Sequence, residues 1–283
     1  MDNGPYSAAS NDAGNSAGTL KPPSLFWLAM EGRAPWEVGA AMLAAPMLKD
    51  VPPGDGHPVM VLPGLLAGDA LTFFLRKFLS KCGYAAYAWE QGLNLGPRDG
   101  LLERCIARTR ELSEQHGQKV SLIGWSLGGI YAREIAKALP DQVRCVITLG
   151  SPFTGHPTAT NAWRLYQMVS GKPAIDEVQI AELKKTPPVP TTSIFSRTDG
   201  IVSWQCCVEQ ESDQTENIEV HGSHTGMVAN PTVLYALADR LAQPEGQWQR
   251  FDRHGHQGVK KFIYRDPQRA AGNKSSSSRT SHP

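Results

Sequence analysis

The residues of this chain best suited to chemistry are a serine, an aspartate and a histidine, each in a short glycine-containing stretch. Ser126 lies in SLIGWSLGGIY (121–131), flanked by Gly124 and Gly128. Small residues on both sides are what a sharp strand-to-helix turn needs, because side chains there would clash as the backbone folds back. A serine hydroxyl is a weak nucleophile until a base takes its proton, so the turn becomes useful only beside a histidine that a carboxylate holds in place. SIFSRTDGIV supplies Asp199 in front of Gly200, and IEVHGSHTGM supplies His224 in a Gly and Ser rich loop. Together these three types attack a carbonyl carbon and pass through an acyl-serine. Other candidates are weaker. His221 falls on the expected strand beside Glu219, opposite Ile218 and Val220. Asp176 sits in an irregular segment and Asp141 at the wrong end of the sheet. His57, His116, His156, His254, His256 and His282 have no comparable setting, so surface or structural roles are their default.

The charge that forms on the attacked oxygen needs two N–H donors. One is the backbone N–H of Leu127, directly after the serine, at the positive end of the helix that follows. The other is expected from VMVLPGLLAG, where Pro63 and Gly64 fix a turn that points the N–H of Leu65 into the site.

Those residues must be held by regular elements, and the hydrophobic pattern supplies them. PVMVL (58–62), GYAAYAW (83–89), KVSLIG (119–124), VRCVITLG (143–150), TTSIFS (191–196) and NIEVHG (217–222) read as strands. Segments 70–81, 100–117, 127–139 and 231–242 carry apolar residues at helical intervals, with Gly117 and Pro140 placed as stops. Strands alternating with helices, and apolar on both faces, specify an α/β fold with a mostly parallel central sheet and helices on both faces. Ligands then bind beyond the carboxyl ends of the strands, where Ser126, Asp199 and His224 all fall. The alternation breaks at 152–189, where two short helices carrying Trp163, Leu165, Tyr166, Met168, Ile175, Val178, Ile180 and Leu183 are expected. Residues 1–24 and 265–283 lack the periodicity of packed elements and read as a disordered leader and a disordered basic tail, leaving a domain at 25–264.

Composition narrows the function classes. The net charge is +1, so no overall field favours nucleic acid. Basic residues dominate only from Arg250 onward. Five cysteines without CxxC spacing, and no signal-peptide pattern, point to a reduced, cytoplasmic protein. The apolar stretch 25–48 contains Glu31, Arg33, Pro35, Glu37 and Pro46 and is expected to pack on the domain as a helix or helix pair, not to cross a bilayer, with peripheral surface contact as the lesser option. There is no HExxH, no paired CxxC, no GxGxxG and no P-loop, so neither metal nor cofactor is called for.

The chain order Ser126, Asp199, His224 belongs to the nucleophile-elbow arrangement. With VMVLPGLLAG, LIGWSLGG, ITLGSPFTG, SRTDGIV and HGSHTGM spread over roughly 58–242, the chain resembles the α/β-hydrolase superfamily and its lipase and esterase-like branch. The resemblance implies a carboxylic-ester hydrolase, with a small-molecule or lipid acyl ester as substrate. Ser126 is then the nucleophile, His224 the base, Asp199 its orienter, and Leu65 with Leu127 the oxyanion hole. It also implies a helical cap or lid at about 152–189, with Leu66, Trp125, Phe153 and Trp163 expected in substrate binding. Acyltransferase or thioesterase activity on the same triad, or a non-catalytic binding role, are the alternative readings. Many lipases carry histidine before the nucleophile, where this chain has Trp125.

Overall fold

The computed structural model describes residues 20–43, 48, 51–155, 157–170, 177–252 and 264. The expectations for residues 1–19 and for the 265–283 tail lie outside the described residues. So do those for Ile175, Asp176, His156, His254, His256 and His282.

Six strands form one parallel sheet: β1 (Pro58–Leu62), β2 (Ala85–Ala88), β3 (Val120–Trp125), β4 (Val143–Leu149), β5 (Thr191–Ser196) and β6 (Thr215–Val220). Their order across the sheet is β2-β1-β3-β4-β5-β6. The chain moves outward from β1 to β2, then returns to place β3 on the other side of β1. That reversal opens a crevice beyond the carboxyl ends of β1 and β3, where their connections diverge. Leu62, the last residue of β1, pairs with Gly124 near the end of β3, so the 63–65 loop and Ser126 emerge side by side at that crevice.

Alternation along the strands feeds two cores. Val59 and Val61 of β1 and Ile123 and Trp125 of β3 pack on one face, beneath α3 (Phe73–Lys81) and α8 (Pro231–Leu241). Met60, Leu62, Val120 and Leu122 pack on the other, beneath α4 (Leu101–His116) and α5 (Leu127–Ala138). Each fully buried aliphatic side chain contributes about 1.5–3 kcal/mol, so this two-faced burial is what holds the sheet centre rigid. Helix boundaries follow local chemistry. Gly117 ends α4 in the left-handed conformation at φ 60°. Asn230 caps α8 by accepting from Thr232 N–H, with Pro231 at the first helical position.

Three elements depart from expectation by two residues or more, the first being β2, which covers only Ala85–Ala88 of the expected 83–89. The helix expected at 70–81 begins at Phe73, with Leu71 and Phe73 exposed and Leu75 and Leu79 buried. The last strand begins at Thr215 and ends at Val220, two residues earlier than its pattern suggests. Its first residues are polar yet buried, because Glu216 pairs with Arg240 and accepts from Phe251 N–H. His221 therefore sits just past the strand, not on it, and its carbonyl accepts from Asn230 Nδ2 at 2.7 Å.

Ahead of the sheet, α1 (Leu25–Ala29), a 3-10 turn (Met30–Arg33) and α2 (Ala34–Leu43) form the expected leading helices. Between β4 and β5 lie α6 (Trp163–Ser170) and α7 (Glu177–Lys184). The carboxyl end of α7 is pinned to α5, where Lys137 Nζ donates to the Glu182 carbonyl at 2.7 Å and Arg133 reaches the Lys185 carbonyl at 3.2 Å.

Candidate active site

Ser126 occupies the turn between β3 and α5 with φ 54° and ψ −122°, a conformation that costs an L-residue energy and persists only when its surroundings enforce it. The surroundings are the glycines. A Cβ on Gly124 would lie 2.2 Å from Gly129 Cα, and one on Gly128 would lie 2.2 Å from the Leu62 carbonyl oxygen. The helix therefore crosses β1 and β3 at a distance only glycine permits, and this forces the tight turn that lifts Ser126 into the crevice. The residue is half-buried, and its side of the turn opens onto a cavity of about 900 Å³.

Asp199 follows β5 at the same edge. Its Oδ1 accepts from the backbone N–H groups of Ile201 and Val202, both at 2.8 Å, which leaves Oδ2 to face the imidazole. His224, in the loop after β6, meets that oxygen through Nδ1 at 2.6 Å. With Nδ1 donating, the lone pair is on Nε2. Both side chains are buried. Burial pushes the His224 pKa down, whereas the Asp199 charge, its hydrogen bond and the Glu31 charge push it up. The net displacement is upward from 6.5.

The end of β4 brings Ser126 to this pair. Ser126 N–H donates to the Leu149 carbonyl at 2.8 Å. A Cβ on the next residue, Gly150, would lie 3.1 Å from His224 Nδ1 and 3.2 Å from Asp199 Oδ2. Trp125, directly before the serine, donates Nε1 to the His224 carbonyl at 3.1 Å, its ring 5.9 Å from the imidazole. Among the described residues the Ser126 hydroxyl makes no hydrogen bond to His224.

Leu65 and Leu127 line the cavity with Ser126. The loop after β1 runs against the elbow so closely that a Cβ on Gly64 would lie 3.1 Å from Ser126 Cβ. As the first residue of α5, Leu127 has an N–H without an intrahelical acceptor. Phe153 and Trp163 also line the cavity; Leu66 and Trp125 do not. Leu66 is instead held at φ 58° with its N–H on the Asn94 carbonyl at 2.7 Å.

Three contributors were not among the expected site residues. Asn94, fully buried, bolts the loop after β1 by donating Nδ2 to the Pro63 carbonyl at 2.8 Å. Its setting between Gly92 and Gly96 is the turn signal that marks it. Arg133 lies buried 3.9 Å from the Phe153 ring centre and pairs with Glu209, propping one wall of the cavity. Glu31 reaches the His224 loop from the leading helices, and no short-range pattern announces it.

A second serine, histidine and aspartate come together at the opposite end of the sheet. His57 Nε2 lies 2.8 Å from Ser121 Oγ, while its Nδ1 contacts Asp55. Ser121 and His57 are completely buried at the amino ends of β3 and β1. The same residue types, here in the chain order Asp55, His57, Ser121, leave the buried serine with no route to a substrate. Access at the carboxyl edge, not composition, separates the two sets.

The sequence profile of the PGAP1-like alpha/beta domain family matches residues 84–242, more than half of the chain. The chain belongs to this family. The fold is that of the α/β-hydrolase superfamily, and its similarity to solved lipases agrees. Lipase B of Aspergillus fumigatus superposes with a TM-score of 0.55 at 18% identity, over 70% of this chain and 56% of the fungal one. The chain therefore spans little more than half the length of that enzyme. The mature lipase BlEst2 of Bacillus licheniformis superposes with a TM-score of 0.50 at 17% identity, over 69% of this chain and 95% of the bacterial one. No curated protein matches the chain at a significant level. Among the described residues no group of histidine, cysteine, aspartate and glutamate suited to a metal ion is present, and no helix is long and apolar enough to cross a membrane.

Proposed function

We propose that this member of the PGAP1-like family is a serine ester hydrolase. The observation that carries the reading is the buried Asp199–His224 pair set at the carboxyl edge beside the strained Ser126 elbow, over an open cavity. Ser126 Oγ attacks the ester carbonyl as His224 Nε2 takes its proton. The N–H groups of Leu65 and Leu127 hold the oxyanion. The tetrahedral intermediate collapses, the alcohol leaves with the proton from His224, and a water deprotonated by the same imidazole then hydrolyses the acyl-serine to the acid.

The cavity supports an acyl ester as substrate, since Phe153, Trp163, Ile180 and Leu183 give it an apolar wall wide enough for an aliphatic chain. In this reading the 152–189 segment acts as a cap through α6 and α7, and residues 25–264 form the catalytic domain. Leu25, Phe26 and Trp36 stand exposed on the leading helices, which supports peripheral contact with a lipid surface. All five cysteines are unpaired, which supports a reducing, cytoplasmic setting. The test is hydrolysis of p-nitrophenyl esters of increasing acyl length. The reading expects turnover that needs Ser126 and varies with chain length; no hydrolysis at any length by the folded protein would refute it.

A further inference from the structure

The leading helices touch the site at the four residues that flank its acid and its base. Glu31 inserts one carboxylate between the two loops. Its Oε1 accepts from the N–H of Gly200 at 2.8 Å and from the N–H of His224 at 2.9 Å. Its Oε2 accepts from the N–H and the hydroxyl of Thr225, at 3.1 and 3.2 Å. Glu37 of α2 accepts from the N–H of Ser223 at 2.9 Å and pairs with Arg33 at 2.8 Å. Arg33 in turn donates to the carbonyl of Thr198 at 2.9 Å. Thr198 and Gly200 bracket Asp199, and Ser223 and Thr225 bracket His224. All four are therefore tied to three charged side chains of one short segment.

The backbone is shaped for this approach. A Cβ on Gly200 would lie 2.2 Å from the Trp27 carbonyl oxygen, and one on Gly226 would lie 1.8 Å from Glu37 Oε2. A segment that merely covered surface would not demand small residues beneath it.

We propose that Glu31 is a positioning residue of the site, a single carboxylate that fixes the Asp199 loop against the His224 loop, with Arg33 and Glu37 holding their outer edges. The kinetic part of this inference rests on the ester-hydrolase reading. Hydrogen bonds to a carboxylate are about twice as strong as neutral ones, so the clamp is stiff. Stiffness matters because a misplacement of about 1 Å costs on the order of a hundredfold in rate. The groups facing His224 are Asp199 from the loop after β5 and Glu31 from the 3-10 turn, with the Arg33–Glu37 pair one residue away on Ser223 and Cys207 beside Asp199. Glu31 thus places a negative charge near the imidazolium that forms when His224 takes the serine proton, and stabilises it.

The test uses the full chain with Glu31→Gln, which keeps the side-chain length but replaces Oε2 with an amide that cannot accept from Thr225. Melting temperature, kcat and KM across pH, and the His224 titration followed by NMR are measured together. The expected result is a folded protein with KM little changed, kcat lower by about tenfold or more, and both the acid limb of kcat and the His224 titration moved to lower pH. Glu31→Asp, which keeps the charge but shortens the reach, is expected to lose kcat while retaining the acid limb. Gly200→Ala, which displaces the segment without touching the carboxylate, is expected to lower kcat as Glu31→Gln does. Wild-type kcat and acid limb in a folded Glu31→Gln would overturn the proposal. If the wild type shows no Ser126-dependent turnover, the ester-hydrolase reading fails and the NMR titration alone decides: a fall supports the clamp, and an unchanged value overturns it.

Discussion

His224 works between two opposing influences. Burial disfavours the charged ring, while the carboxylates of Asp199 and Glu31 favour it, and the second effect prevails. A base must be unprotonated to accept the serine proton, so the acid limb of activity is expected above pH 6.5. The stability consequence has the opposite sense: a raised folded-state value gives a contribution fully present below pH 6.5 and lost as pH rises from there through the folded-state value. Asp199→Asn keeps the shape but removes the charge that holds the ring's tautomer. It is expected to cut kcat by about a hundredfold to ten-thousandfold and to move the acid limb to lower pH, as steady-state kinetics across pH would reveal. The positions of Ser126, Asp199 and His224 at the carboxyl edge were legible because each sits in a stretch whose glycine content marks a turn beside a strand. Trp125 was not. The resemblance implied substrate contact for it, and its indole N–H also donates to the His224 carbonyl across 99 residues of sequence, a partner that no local pattern announces.

At the level of elements, the approach of α5 to β1 and β3 explains the glycines around Ser126. Gly128→Ala would drive a methyl group into the Leu62 carbonyl and push the helix off the strand. The expected outcome is a loss of about 1–3 kcal/mol, seen as a lower urea midpoint, and weaker activity in whatever folds. β1 and β5 were readable to the residue because each is a short run bounded by a proline or a turn. β6 was displaced because Thr215 and Glu216 look like loop residues, and it takes distant partners, Arg240 on α8 and the N–H of Phe251, to make a buried glutamate acceptable there. The role of the leading helices was hidden for the same reason: Glu31 and His224 are 193 positions apart, and periodicity carries no information about such a pair.

For the molecule as a whole, the candidate site lies at one end of the sheet and a buried polar cluster at the other. At the amino end burial holds the His57 pKa below its ordinary 6.5, despite Asp55 beside it. A depressed value contributes stability above pH 6.5 that is lost as pH falls toward the folded-state value. His57→Gln is expected to flatten this acid dependence, and thermal melting between pH 7 and 5 would measure it. The central claim concerns the other end, where the hydroxyl at Ser126 is held to be the nucleophile. Intact-mass analysis after treatment with a fluorophosphonate tests it most directly. The account predicts a single adduct that maps to Ser126, forms more slowly in Asp199→Asn and is absent in Ser126→Ala. A folded wild-type protein that stays unmodified, or one modified at another residue, would contradict it.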